Sequence, residues 1–132
     1  MTLVDTNILI DLFTDDPNWF DWSETKLIER TKLGPVGINP IIYAEASVAY
    51  VTEADFEKAL APLTLMLWTL PYSAGFQAGK AFLDYRRRGG DRARPLPDFY
   101  IGAHAAASGF RLLTRDPSRF RHYFPQVELI TP

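Results

Sequence analysis

Thr2-Leu3-Val4-Asp5-Thr6-Asn7-Ile8-Leu9-Ile10-Asp11-Leu12-Phe13 is the stretch on which the fold turns. Thr2-Leu3-Val4 is a short apolar run that enters an acid, and Ile8, Leu9, Leu12 and Phe13 then recur at helical spacing. A strand that feeds straight into a helix is the opening unit of an α/β domain.

The same alternation continues along the chain. A helix is predicted over Trp19 to Lys32, stopping at Gly34-Pro35, and Val36-Gly37-Ile38 reads as a second strand. Asn39 as N-cap with Pro40 at the first helical position predicts a helix from Pro40 to about Val51. Thr52 with Asp55 resembles a capping box and opens a helix toward Leu67, broken or kinked at Pro62. Thr69-Leu70-Pro71-Tyr72 reads as a strand, and Ser73 as the cap of a helix that ends at Gly89-Gly90. Pro97 to Ser108 forms the next helix, closed by Gly109 in a left-handed cap. Arg111–Thr114 and Val127–Ile130 supply the last strands. The expectation is an α/β domain with a mainly parallel sheet and helices on both faces. Ligands of such sheets bind beyond the carboxyl ends of the strands.

Composition sets limits on this reading. The 132 residues fit one domain over 1–132, and 47% hydrophobic with 14% aromatic residues suffices for a packed core. A net charge of −2 gives no global electrostatic argument for nucleic acid, so any such argument must be local. The absence of cysteine excludes disulfides and thiolate metal sites and fits the cytoplasm. Residues 59 to 79 carry no charge, but Pro62, Pro71, Gly75 and Gly79 interrupt them, so no membrane span is expected.

Four acids fall where this topology puts ligands. Asp5 ends the first strand, and Asp116 follows the strand 111–114 by two residues. Glu45 sits in the helix after Val36–Ile38, and Asp98 starts the helix 97–108. Their neighbours are apolar: Ile41, Ile42, Ala44 and Ala46 around Glu45, and Leu96, Phe99 and Ile101 around Asp98. Buried acids are costly unless paired or metal-bound, and gathered carboxylates are hard oxygen ligands suited to Mg2+ or Mn2+. Each also has a plainer explanation. Asp5 and Asp98 can cap helices, Asp116 before Pro117 can start a turn, and Glu45 can lie on a helix edge. Asp11, on the first helix, is ambiguous.

Asp5-Thr6-Asn7-Ile8-Leu9 after an N-terminal strand resembles the opening motif of PIN-domain nucleases. Ile42-Tyr43-Ala44-Glu45, Leu96-Pro97-Asp98-Phe99-Tyr100 and Leu113-Thr114-Arg115-Asp116, with Phe120 four residues on, resemble that family's other three motifs, in family order. The compact size resembles the VapC toxins of toxin–antitoxin pairs. The resemblance implies a PIN-like three-layer fold and Mg2+- or Mn2+-dependent cleavage of RNA that leaves a 5′-phosphate. It also implies a homodimer and an antitoxin whose C-terminal segment covers the site. Carried over by position, Asp5, Glu45, Asp98 and Asp116 are catalytic and metal-binding, and Asn7 and Thr114 orient them. The alternative is a catalytically silent PIN domain that serves as an RNA-binding or scaffold module.

An acidic pocket repels RNA unless cations offset it. Arg86-Arg87-Arg88-Gly89-Gly90-Asp91-Arg92-Ala93-Arg94 precedes Asp98, so Arg86, Arg87, Arg88, Arg92, Arg94 and also Arg115 are candidate phosphate contacts. The run also reads as a solvated helix C-terminus. Arg119 and Arg121 extend the basic rim past Asp116. His104 is expected to be packed and hydrogen-bonded rather than catalytic, and His122 to lie on the surface. Trp19, Phe20, Trp22, Trp68 and Tyr72 read as core or interface more readily than as base-stacking platforms. A dehalogenase-type phosphatase is disfavoured because its second aspartate position holds Asn7. A receiver domain is disfavoured because no lysine follows Lys80.

Overall fold

A computed structural model describes residues 1–90 and 96–132. Within them, five strands form one sheet: β1 (Thr2–Val4), β2 (Val36–Ile38), β3 (Met66–Leu67), β4 (Arg111–Leu113) and β5 (Leu129–Ile130). Among the described residues, seven α-helices connect them: α1 (Thr6–Phe13), α2 (Phe20–Leu33), α3 (Pro40–Ser47), α4 (Glu53–Leu60), α5 (Tyr72–Arg87), α6 (Leu96–Ser108) and α7 (Ser118–Tyr123). The sheet order is β3-β2-β1-β4-β5, and every pairing is parallel. The expected α/β class holds, and the sheet is wholly rather than mainly parallel.

The central strands read as apolar runs because helices cover both faces. Leu3, Val4, Ile38, Leu112 and Leu113 are fully buried, together with Ile8, Leu9, Ile42, Phe99 and Ile101 from the flanking helices. The chain moves one way from β1 to β3, then returns past β1 to β4 and β5. Right-handed crossovers, the near-universal hand for parallel strands, put α1–α4 on one face and α5–α7 on the other. The direction reverses between β1 and β4, so the switch point lies at the carboxyl ends of those two strands. Among the described residues, no helix is long and apolar enough to cross a membrane.

Local chemistry sets most of the helix starts. Asn39 Oδ1 accepts from Ile42 N at 3.0 Å, and Thr52 Oγ1 accepts from Asp55 N at 3.2 Å. Gly109 takes φ +67 and closes α6. Three expectations need correction. The strand expected at 69–72 lies earlier, at Met66–Leu67, paired to Gly37 and Ile38. Trp68 N then donates to Ile38 O, and the ring of Trp68 packs where a side chain at Gly37 would stand. The helix after Asn39 stops at Ser47, because Tyr50 turns inward against the rings of Phe13 and Phe56. Finally, α5 begins at Tyr72 with Pro71 as its N-cap rather than Ser73. The break expected at Pro62 is present: α4 gives way there to a 3-10 turn over Ala61–Leu63.

Candidate active site

Asp5 ends β1 and caps α1 in one residue. Its backbone N donates to Leu113 O at 2.9 Å, which ties the strand end to β4. Oδ1 accepts from Thr6 N at 2.8 Å, and Oδ2 accepts from Thr114 Oγ1 at 2.7 Å and Asn7 Nδ2 at 3.2 Å. Thr114 is fully buried, and its hydroxyl also accepts from Asp116 N at 3.1 Å. Asn7 and Thr114 therefore fix both the carboxylate of Asp5 and the chain that carries Asp116. Asp5 caps a helix as the plainer explanation proposed, yet that hydrogen bond occupies only one of its oxygens.

The other acids converge from different elements. Glu45, on α3, accepts from Thr6 Oγ1 at 2.8 Å. Asp98 lies in the first turn of α6, and Arg119 Nη1 donates to its Oδ2. Asp5, Glu45, Asp98 and Asp116 all line one cleft of about 230 Å³, with Thr6, Asn7, Ile10, Arg119 and Phe120 completing its wall. The site lies at the sheet's switch point, where a doubly wound fold binds ligands.

Electrostatics mark the cleft as short of positive charge. Asp5 is only 6% exposed. Burial pushes its carboxyl up to about 7; the hydrogen bonds from Thr114 and Thr6 oppose that, and the nearby charges of Asp98 and Glu45 add to it. Glu45 is raised as well, by its burial and by Asp98, against the hydrogen bond from Thr6. Two carboxylates held above their ordinary range in one cleft are groups that a cation would return to the charged form. The donor set is oxygen only, which suits Mg2+ or Mn2+. Among the described residues no group of three or more such side chains is already closed into a metal cage. Arg119 holds Asp98 instead. The donor chemistry fits a divalent ion.

The arginines divide by role. Arg86 and Arg87 end α5, with Arg86 over the Phe82 ring, and Arg88 pairs with Asp84 at 3.1 Å and meets His122 at 3.3 Å. Arg92 and Arg94 lie outside the described residues. Arg115, a candidate phosphate contact by sequence, turns inward: its Nε donates to both carboxylate oxygens of Asp11 at 3.0 and 2.8 Å, and its guanidinium lies over the Trp19 ring. Asp11 is fully buried and also accepts from Ser23 Oγ at 2.7 Å. This half-buried pair ties α1 and α2 to the loop that carries Asp116. A lone acid among Ile8, Leu9, Leu12 and Phe13, four residues after Asn7, was the available sign of it.

Arg119 stands in the cleft itself rather than on a rim beyond it. Its place one turn after Asp116 on α7 was the signal for that. His104 is buried as expected; its Nδ1 accepts from Asn39 Nδ2 at 3.0 Å, and burial lowers its pKa. Trp19 and Trp22 pack edge to face, Trp68 packs on Phe110, and Tyr72 is fully exposed.

A doubly wound parallel sheet with four carboxylates gathered at its switch point is the class that fold and site define. The PIN domain family model matches residues 2–124, and the chain belongs to that family. Its fold is similar to solved toxin–antitoxin structures. These include VapBC2 of Rickettsia felis bound to a promoter DNA fragment (TM-score 0.77, 19% identity, 99% of this chain and 98% of that one). VapBC-1 of nontypeable Haemophilus influenzae follows (0.74, 19%, 98% and 96%). A toxin–antitoxin complex of Klebsiella pneumoniae matches at 0.71, with 24% identity over 100% and 98%. Comparison with curated proteins gives no match.

Proposed function

We propose that this chain is a Mg2+- or Mn2+-dependent endoribonuclease that acts as the toxin of a VapBC-type toxin–antitoxin pair. One observation carries the reading: four carboxylates from β1, α3, α6 and the β4–α7 loop line a single cleft, with Asp5 raised to about 7. The reading takes residues 1–132 as one catalytic domain that works in the cytoplasm.

Asp5, Asp98, Asp116 and Glu45 would hold the ion. When bound, a divalent ion supplies a water of lowered pKa and offsets charge at the phosphate. The chain's own residues do the positioning. Thr114, Asn7 and Thr6 N fix Asp5, and Thr6 Oγ1 ties Glu45 to the same helical turn, so the two acids are held as a unit. Phe120 and Ile10 give the cleft wall its apolar surface. Arg86, Arg87, Arg88, Arg92 and Arg94 are the proposed contacts to the RNA backbone beyond it.

The similarity to toxin–antitoxin complexes supports a protein partner. Edge strand β3 exposes Met66 and Leu67, an edge that a second copy of the chain would cover in a homodimer.

The test is RNA cleavage with Mg2+ or Mn2+ by wild type, Asp5→Asn and Asp98→Asn. Wild type should cut, leaving 5′-phosphate and 3′-hydroxyl ends, and both variants should bind RNA without cutting. Equal binding and no cutting by all three would instead establish the silent scaffold, and 2′,3′-cyclic phosphate ends would exclude direct attack by water.

A further inference from the structure

Arg119 is the cation that the cleft already contains. Among the described residues lining the cleft it is the one basic side chain, and its Nη1 donates to Asp98 Oδ2. The guanidinium lies 5.7 Å from the ring centroids of both Tyr85 and Phe99. Only 16% of the side chain is exposed. Two aromatic faces and the wall of α7 therefore seat this group independently of Asp98. Arg115, the other arginine near Asp116, is engaged elsewhere, by Asp11.

Two facts make this position unstable toward a divalent ion. A doubly charged ion among the four acids would need Asp98, whose Oδ2 now accepts from the guanidinium. The ion would also repel the guanidinium that lines the same cleft. Released from Asp98, the side chain would still be held against Tyr85 and Phe99, beside the cleft it lines. Its planar fork of donors matches the paired non-bridging oxygens of a phosphodiester.

We propose that Arg119 is the resident counter-cation of the metal-free site, that it yields Asp98 to the divalent ion, and that it then contacts the scissile phosphate of the RNA. This rests on the nuclease reading above. In the absence of metal, the arginine keeps the acidic cleft partly neutralised. With metal bound, the same side chain becomes part of the substrate site.

The experiment uses the full chain, freed of metal by a chelator, and follows Mn2+ binding by titration calorimetry for wild type, Arg119→Gln and Arg119→Lys. RNA cleavage at saturating Mn2+ and several salt concentrations follows, with circular dichroism melts to check folding. Arg119→Gln should bind Mn2+ on the order of tenfold more tightly, because competitor and repulsion both go. It should nevertheless cleave RNA with kcat/KM lowered by roughly tenfold or more, and with a shallower salt dependence, by about one phosphate contact. Arg119→Lys keeps the charge but not the fork, so Mn2+ affinity should stay near wild type while kcat/KM falls. The opposed directions of metal affinity and cleavage are what a merely structural role would not produce.

Equal or weaker Mn2+ binding by Arg119→Gln overturns the proposal, as does tighter Mn2+ binding with cleavage and salt slope intact. Should the glutamine variant fail to fold, wild-type kcat/KM in Arg119→Lys overturns it instead. A wild type that binds no Mn2+ removes the metal-dependent reading and this one together. Mn2+ binding with the wrong order of affinities removes only this one.

Discussion

Asp5→Asn should make the metal-free protein more stable at pH 8 and remove a pH dependence that the wild type shows. The carboxyl of Asp5 lies at about 7 in the fold, against 3.8 for the unpaired group. A proton therefore stays on the folded form after the unfolded form has lost it, and stability falls as pH rises through that window. The contribution is fully present below pH 3.8 and lost by the time pH has passed 7. At about 1.36 kcal/mol per pKa unit the whole window spans about 4 kcal/mol, more than half of which falls between pH 5 and 8. For a chain of this size that is a fall in Tm of roughly 8 °C.

His104 acts in the opposite direction. Its lowered pKa lets the unfolded state take up a proton first as pH falls below 6.5, so its share of stability rises with pH. The quantity to measure is therefore the difference between wild type and Asp5→Asn, in which His104 cancels. Asparagine keeps the oxygen that accepts from Thr6 N, but its amide must face Thr114 Oγ1 and Asn7 Nδ2. That mismatch costs about 1–2 kcal/mol at every pH and leaves the slope untouched. Urea unfolding in a chelating buffer at pH 5, 6, 7 and 8 gives both curves. Equal slopes for the two proteins would refute the reasoning, because they would mean that Asp5 is ionised in the fold at pH 5.

Arg115→Ala strands the fully buried Asp11 without its cation. It should cost about 2–4 kcal/mol by urea unfolding, whereas Asp11→Asn should cost less. Gly102→Ala puts a methyl group into the ring of Phe124 and against Phe120; a loss of about 1–3 kcal/mol is expected, with near-UV circular dichroism reporting the displaced rings. Asn39→Ala removes both the cap of α3 and the partner of His104 Nδ1, and thermal melts should show a loss of about 2–3 kcal/mol.

How far the sequence could be read differs between core and edge. Val36-Gly37-Ile38 and Arg111–Thr114 stood out because central parallel strands are buried on both faces and carry unbroken apolar runs. β3 did not, because an edge strand of two exposed residues, Met66 and Leu67, lies within a longer apolar stretch with nothing periodic to single it out. The end of α3 is not legible along the chain because Ala49-Tyr50-Val51 has acceptable helix composition. Its exit is decided by where the Tyr50 ring packs.

Sequence by itself determined the alternating α/β order, the strand–Asp5–helix junction and the positions of the four acids. These depend on local periodicity and on capping, which a chain carries in its own spacing. Tertiary structure decided that those acids share one cleft, because it placed β1 next to β4 and set the switch point between them. It also decided the arginines. Arg115 is drawn inward by a buried Asp11 that lies 104 residues away in the chain, and Arg119 is drawn to Asp98 across the cleft. A charge's partner is whatever the fold brings within a few ångströms, and no pattern of neighbours along the chain encodes that distance.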